Sequence, residues 1–257
     1  MEADEAQYAN WVPKSYIYAF IIVEAVLLII SFLPIFLVVR ILLWIAAGVV
    51  MFFGVIMLNA YYQFGKDQYK LQHEVHHVLI NKLGWDGQGK ALDIGTGSGG
   101  VAIKVAKKYP DTTIVGVDYW GKGWDYSQLM CEKNAKAEGV HDRTIFQKGS
   151  AANLPFENET FDAVVSNFVF HEVRDFKDKA KLIIEAMRVL KKGGLFSFQD
   201  PFLSGAFYGN LERFMQKLQE CGISEIHFMR LRDSMHIPRL LQFSLFLGKM
   251  GTLYGKK

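Results

Sequence analysis

Residues 91–100 read ALDIGTGSGG, and the fold turns on how this stretch is understood. Its first part belongs to an apolar strand, KALDIG (90–95), and a helix, VAIKVAKKY (101–109), follows and is closed by Pro110. Glycines between a strand and a helix let the backbone turn sharply and let a ligand approach the main chain. Gly95, Gly97 and Gly100 fit the G-x-G-x-x-G spacing, which dinucleotide folds share with other nucleotide folds. The next strand, TIVGVD (113–118), ends on Asp118, 23 residues after Gly95. A carboxylate at that place can accept both hydroxyls of a ribose. Loop and acid together point to a nucleoside-containing cofactor at the carboxyl edge of a sheet.

Outward from this core, strands and helices keep alternating. SQLMCEKNAKAEG (127–139) reads as a helix, RTIFQKG (143–149) and FDAVVSN (161–167) as strands, and LFSFQD (195–200) as a fifth strand. DKAKLIIEAMRVLKKGG (178–194) reads as a helix ended by two lysines and two glycines. Upstream, KDQYKLQHEVHHVLINK (66–82) has helical spacing and stops before Gly84, Gly87 and Gly89. Downstream, residues 207–220 are helical, and SEIHFMRLRD (224–233) and GTLYGKK (251–257) are late strands. The pattern predicts an α/β fold with a doubly wound, mostly parallel, seven-stranded sheet covered on both faces.

NAD and S-adenosylmethionine (SAM) both fit a glycine loop and a ribose acid. A pyrophosphate would sit at the helix N-terminus, where Asp93 would repel it. SAM has no phosphate and would place its methionine part in the loop, so Asp93 favours SAM.

Five ordered motifs then resemble the class I SAM-dependent methyltransferases: ALDIGTGSGG, VGVD (115–118), GSAANLPF (149–156), FDAVVSNFVFHEV (161–173) and RVLKKGGLFSFQDP (188–201). The chain is similar to the small-molecule group that includes the ubiquinone and menaquinone methyltransferases, closely over residues 70–200 and loosely over 200–257. The resemblance implies a Rossmann-like methyltransferase domain at 66–257 and SAM as cofactor. It implies that Asp93, Gly95, Gly97 and Gly99 lie by the methionine part, that Asp118 holds the ribose, and that Tyr119 lies along the adenine. Ser150 and Ala151 would meet the adenine edge, and Ser166 and Asn167 the methionine amino group. Most relatives carry Asp where this chain has Ser150, which loses a charge at that edge. The motifs are specific for the cofactor and not for the acceptor.

Methyl transfer from a sulfonium needs in-line placement and exclusion of water, and a base only where the acceptor must lose a proton. His171, after the fourth strand, is the first candidate base; Asp200, after the fifth, is the second. His73, His76 and His77 share a helix face, but no acid or cysteine at ligand spacing accompanies them, and no metal is expected. Cys131 and Cys221 lie in expected helices and read as core. Two cysteines cannot build a disulfide framework, so a reducing compartment is the default. The net charge of +3 argues for no nucleic-acid partner.

The 257 residues have a mean hydropathy of +0.11, high for a soluble chain. The excess has an address. Residues 15–65 hold two charged side chains, Glu24 and Arg40, whereas residues 66–257 hold 27 of the 29 basic and 22 of the 26 acidic residues, a net +5. A span needs roughly 20 residues, so the block accommodates a two-helix transmembrane hairpin, near Ser15–Pro34 and Ile41–Tyr62, after a tail at 1–14. Pro34 and Arg40 mark the connection. A signal peptide fits poorly, because MEADEAQYAN is acidic and the apolar run is too long; a hairpin dipping into one leaflet remains an alternative. Trp11, Tyr16, Tyr18, Tyr61 and Tyr62 flank the block as interfacial aromatics do. Lys66, Lys70 and Lys82 follow the second helix, against Arg40 in the turn, which puts the large domain in the cytoplasm. Glu24 inside a span reads either as functional or as structural: protonated, snorkelling, or paired with Arg40, which lies at equal depth if the turn centres near residue 32. Ile237–Leu247 reads either as an apolar lip at the membrane or as core.

The expected protein is a membrane-anchored SAM-dependent methyltransferase acting on a lipophilic small molecule: a quinone precursor, a lipid or an apolar thiol. The alternatives are a membrane-bound scaffold with a degenerate methyltransferase domain, for which Ser150 speaks, and a nicotinamide-dependent reductase. The expected partners are the lipid bilayer and that acceptor; oligomeric state has no signature in the sequence.

Overall fold

The computed structural model describes residues 5–65, 70–121, 126–173, 176–243 and 247–257. Its contacts divide the chain into residues 9–71 and a larger unit made of the tail up to Tyr8 with residues 72–257.

The smaller unit is built on α1 (Lys14–Ser31) and α2 (Leu37–Gln63), both long and apolar enough to cross a membrane by length and composition. Ser31 is the buried residue of α1, and Ala47, Ile56 and Ala60 are those of α2; most of the other apolar side chains are exposed. The two helices approach where a Cβ on Gly54 would lie 3.6 Å from the Phe20 side chain. At their open end Asn10 Nδ2 donates to the Tyr61 carbonyl at 2.7 Å, and Trp11 packs on Phe64.

The Glu24–Arg40 pair does not form. Arg40 lies inside α2 and donates to the Leu33 carbonyl at 3.3 Å. The Glu24 carboxylate is shielded and has no hydrogen-bond partner among the described residues. Depth explains this: Glu24 is seven residues from the end of α1, about 10 Å of rise, and Arg40 three residues into α2, about 5 Å.

The larger unit runs α3 (Lys70–Lys82), β1 (Lys90–Ile94), α4 (Gly100–Lys108), β2 (Thr113–Asp118), α5 (Gln128–Ala137), β3 (Thr144–Lys148), β4 (Phe161–Asn167), α6 (Ala180–Val189), β5 (Leu190–Asp200), α7 (Gly205–Tyr208), α8 (Leu211–Glu220), β6 (Glu225–Arg230) and β7 (Gly251–Lys256). The start expected for α3, including Lys66 and Tyr69, lies outside the described residues. The seven strands order β3-β2-β1-β4-β5-β7-β6, parallel from β3 to β5, with β7 antiparallel to both its neighbours. Strand side chains alternate between faces. Leu92, Ile94, Val164 and Phe198 pack with α6 and α8, while Ala91, Ala163 and Val165 pack with α3, α4 and α5. Burial on both faces is why the strands read as nearly continuous apolar runs. The strand order reverses between β1 and β4, and in such sheets ligands bind at the carboxyl ends beside that switch point.

Three local expectations change. The helix expected to reach residue 194 stops at Val189, because Leu190 already pairs with Phe161 in the sheet; Gly193, at φ +76°, kinks the start of β5 and does not cap a helix. The helix expected over 207–220 breaks at Gly209, at φ +64°. Cys131 is buried, but Cys221 is exposed, since α8 ends at Glu220 and Gly222 turns the chain away.

Candidate active site

The glycine loop is held mostly by its own main chain. Gly95 and Thr96 donate from their backbone nitrogens to the Val117 carbonyl at 2.7 and 3.1 Å. Gly95 has φ +71°, and a Cβ there would fall 2.2 Å from Val169 Cγ2, so glycine is required twice over. Gly97, at φ +57°, has room for a Cβ, and there the left-handed backbone alone demands glycine. Gly99, also left-handed, caps α4.

Asp93 lies beneath the loop, 1 % exposed. Its Oδ2 accepts from Thr96 Oγ1 (2.7 Å) and Ala102 N (3.1 Å), and its Oδ1 is buried without a partner among the described residues. Burial pushes its pKa up to about 7, against the pull of the Thr96 and Ala102 hydrogen bonds. Asp118 accepts from Gly97 N on Oδ2 and from Trp120 N on Oδ1, each at 2.8 Å. Trp120, at φ +44°, also donates its indole N–H to the Gly97 carbonyl at 2.9 Å. Cys131 Sγ reaches the same carbonyl at 3.1 Å, and Asn134 Nδ2 donates to the Ser98 carbonyl at 2.9 Å. Trp120 and Asn134 escape a reading of the sequence, since neither belongs to a spaced pattern.

The other nominated cofactor residues lie around this loop. Tyr119 is exposed, with the Lys148 ammonium 5.3 Å above its ring centre. Ser150 closes a small turn, accepting from Ala152 N at 3.2 Å, and Ala151 packs on the core. Asn167 ends β4, and its shielded Oδ1 has no partner among the described residues. Ser166 is fully buried and donates to the Ile94 carbonyl at 3.0 Å, so it ties β4 to β1 and is not open to a ligand.

Across the switch point the two candidate bases meet. His171 sits in a short 3₁₀ turn, Phe170–Glu172, after β4, and Asp200 is the last residue of β5. His171 Nδ1 lies 2.8 Å from Asp200 Oδ1, and its backbone N donates to Asp200 Oδ2 at 3.0 Å. The Tyr208 hydroxyl donates to the same Oδ2, and His171 Nε2 lies 3.3 Å from Glu172 Oε1. Burial opposes the imidazolium, but the hydrogen bonds and charges of Asp200 and Glu172 outweigh it and push the His171 pKa up to about 9. Burial, with the adjacent Asp200 carboxylate, raises the Tyr208 hydroxyl, which stays a donor. Asp200 is fully buried, with both oxygens engaged. Of the three helix histidines, His76 turns inward against Gly100 and burial keeps it neutral; among the described residues no group of three or more potential metal ligands converges.

The family described as Methyltransferase domain matches residues 92–198, from β1 to β5. These residues are a class I, SAM-dependent methyltransferase domain. Over 128 residues the chain is 30% identical to the ubiquinone/menaquinone biosynthesis C-methyltransferase UbiE of Geobacter sp. (strain M21), covering 48% of this chain and 52% of that protein. Over 106 residues it is 37% identical to the demethylmenaquinone methyltransferase of Roseiflexus castenholzii (strain DSM 13941 / HLO8), covering 41% and 40%. The chain thus spans about half the length, or less, of these curated relatives. Among solved structures, the cyclase SpnF shares the fold at a TM-score of 0.55 and 18% identity, over 70% of this chain and 78% of that one. A cyclase on a methyltransferase-like fold shows that the fold sets the scaffold and not the reaction. The methyltransferase domain suits SAM by its own chemistry: two acceptor oxygens, on Asp93 and Asn167, that have no partner among the described residues can take an ammonium, and the glycine loop admits close approach.

Proposed function

We propose that this chain is a membrane-anchored enzyme that transfers a methyl group from SAM to a lipophilic, quinone-like small molecule. The observation that carries the reading is a SAM-dependent methyltransferase domain on the same chain as a helical hairpin whose apolar side chains are mostly exposed. The hairpin would place the enzyme in the bilayer, where tethering raises the effective concentration of a dissolved acceptor. The net +5 of residues 66–257 would favour anionic headgroups, and Lys70 and Lys82 after the second helix favour a cytoplasmic domain. The names of the two relatives support a quinone-like acceptor.

When bound, SAM supplies a methyl group on a positively charged sulfur, activated for in-line displacement. Asp118 would hold the ribose hydroxyls, Tyr119 would flank the adenine, and Ser150 and Ala151 would border its edge. Asp93 and Asn167, with Gly95, Gly97 and Gly99, would take the methionine part. His171 has a carboxylate at each ring nitrogen, so it carries a proton on both and acts as a donor. The half-exposed Glu172 carboxylate, 3.3 Å from Nε2, would receive the proton that the acceptor loses; so neutralised, it would release the Nε2–H to the acceptor oxygen, whose anion that N–H would stabilise. Asp200 would position His171 and not meet the acceptor.

The test is incubation of the full-length protein with methyl-labelled SAM and total membrane lipids, then mass spectrometry of the products. Label in a quinone-type compound is expected. S-adenosylhomocysteine binding with no labelled lipid would favour a scaffold, and displacement by NADH a reductase.

A further inference from the structure

The segment before α1 is tied to the cofactor loop. Asn134, on α5, is 2 % exposed and uses its whole amide. Its Oδ1 accepts from Gln7 N at 2.7 Å, and its Nδ2 donates to the Gln7 carbonyl at 3.0 Å and to the Ser98 carbonyl at 2.9 Å. One side chain therefore joins the tail peptide to the glycine loop. Without the tail, Asn134 would keep a buried acceptor and a buried donor unpaired, which is costly enough to drive rotation of the amide or entry of water. Either would loosen the Ser98 anchor. The Gln7 bonds are all main-chain, so another residue must hold the tail in register, and Tyr8 does so. Its ring packs on the α4–α5 core, with the Lys104 ammonium 5.2 Å from its centre, and its hydroxyl donates to Glu138 Oε1 at 3.2 Å. A Cβ on Gly100, the first residue of α4, would lie 3.6 Å from the Tyr8 ring.

We propose that Gln7 and Tyr8 form a strap that positions the glycine loop through Asn134, so that cofactor affinity depends on the segment preceding the hairpin. The proposal rests on the reading of that loop as the SAM site. Tyr8 and Asn134 are positioning residues and need not touch the cofactor. α1 begins at Lys14, so residues 9–13 link the strap to the hairpin.

The experiment uses the full chain in detergent micelles and S-adenosylhomocysteine as the probe. Tyr8→Ala should weaken binding about tenfold by calorimetry, within the usual range of coupling between sites, and Tyr8→Phe, which keeps the ring, by less. Because coupling is reciprocal, saturating probe should slow amide exchange at residues 5–9 of the unmutated protein, a readout independent of whether a variant folds. Affinity within twofold for Tyr8→Ala, or exchange in the tail that ignores the probe, overturns the strap if Asp118→Ala still weakens binding. If Asp118→Ala also binds normally, the cofactor reading fails and the strap falls with it.

Discussion

The two sides of the switch point between β1 and β4 are fixed by different means. On the β1–β2 side, positive-φ glycines and backbone amides shape the loop, and the Asp93 and Asp118 carboxylates accept from backbone nitrogens. On the β4–β5 side, one buried carboxylate, Asp200, gathers His171 and Tyr208 through their side chains as well as the His171 backbone. A site built from main chain tolerates few substitutions but can present the same cofactor surface under many neighbours. A site built from side chains can be re-cut residue by residue, which suits the part of an enzyme that meets a variable acceptor.

Gly95→Ala should have the largest effect, because Gly95 is where the halves touch. The new Cβ would collide with Val169 on the β4 side and strain a φ of +71°, and the two costs together predict at least about a 100-fold loss of S-adenosylhomocysteine affinity. Adding Val169→Ala should recover part of that loss. Full recovery would mean that backbone strain counts for nothing there; no recovery would mean that the halves are not mechanically joined.

That contrast also governs what the sequence discloses. Glycines and the Asp118 carboxylate were legible because a main-chain site leaves a spaced pattern. His171 and Asp200 were each visible as titratable residues after strands, but their pairing was not, since it depends on where β5 ends against β4. Tyr208 and Trp120 have no pattern, and Asn134 looks like any helix asparagine until Ser98 and Gln7 are beside it. Lys191–Gly194 misled because two lysines and two glycines look like a helix end, whereas Leu190 gains more by entering the sheet. In the hairpin, length and apolar run were sufficient for both helices, but a pair between Glu24 and Arg40 required a depth that only the helix ends determine.

Asp200→Asn is expected to act on one side only. It should lower kcat about 30-fold, the scale of a lost charged hydrogen bond, and leave S-adenosylhomocysteine affinity within about twofold. A matching loss of cofactor affinity would merge the two sides into one unit. Tyr208→Phe removes one donor of three from the Asp200 carboxylate and should cost about fivefold in kcat. Its diagnostic effect is on pH: with Asp200 less satisfied, it should bind the His171 proton more tightly, so the alkaline limb of the rate profile moves up. A limb that stays in place would remove Tyr208 from the positioning of His171.

The two sides also separate by pH. Both Asp93 and His171 have pKa values raised by folding, so each contributes stability at low pH that is lost as pH rises, but over different windows. For Asp93 the loss runs from the free value of 3.8 to about 7; for His171 it runs from 6.5 to about 9. Their contributions to the urea midpoint should therefore fall in two stages, with up to about 3 kcal/mol in the upper one, set against carboxylates such as Asp162 and Glu185, whose lowered pKa values make stability rise with pH at the acid end. His171→Asn should flatten the fall above pH 7 and leave the lower stage intact, and Asp93→Asn should do the reverse. If either substitution removed both stages, the two carboxylate-centred sites would share one titration, and the distinction between a main-chain half and a side-chain half would fail electrostatically while still holding for geometry.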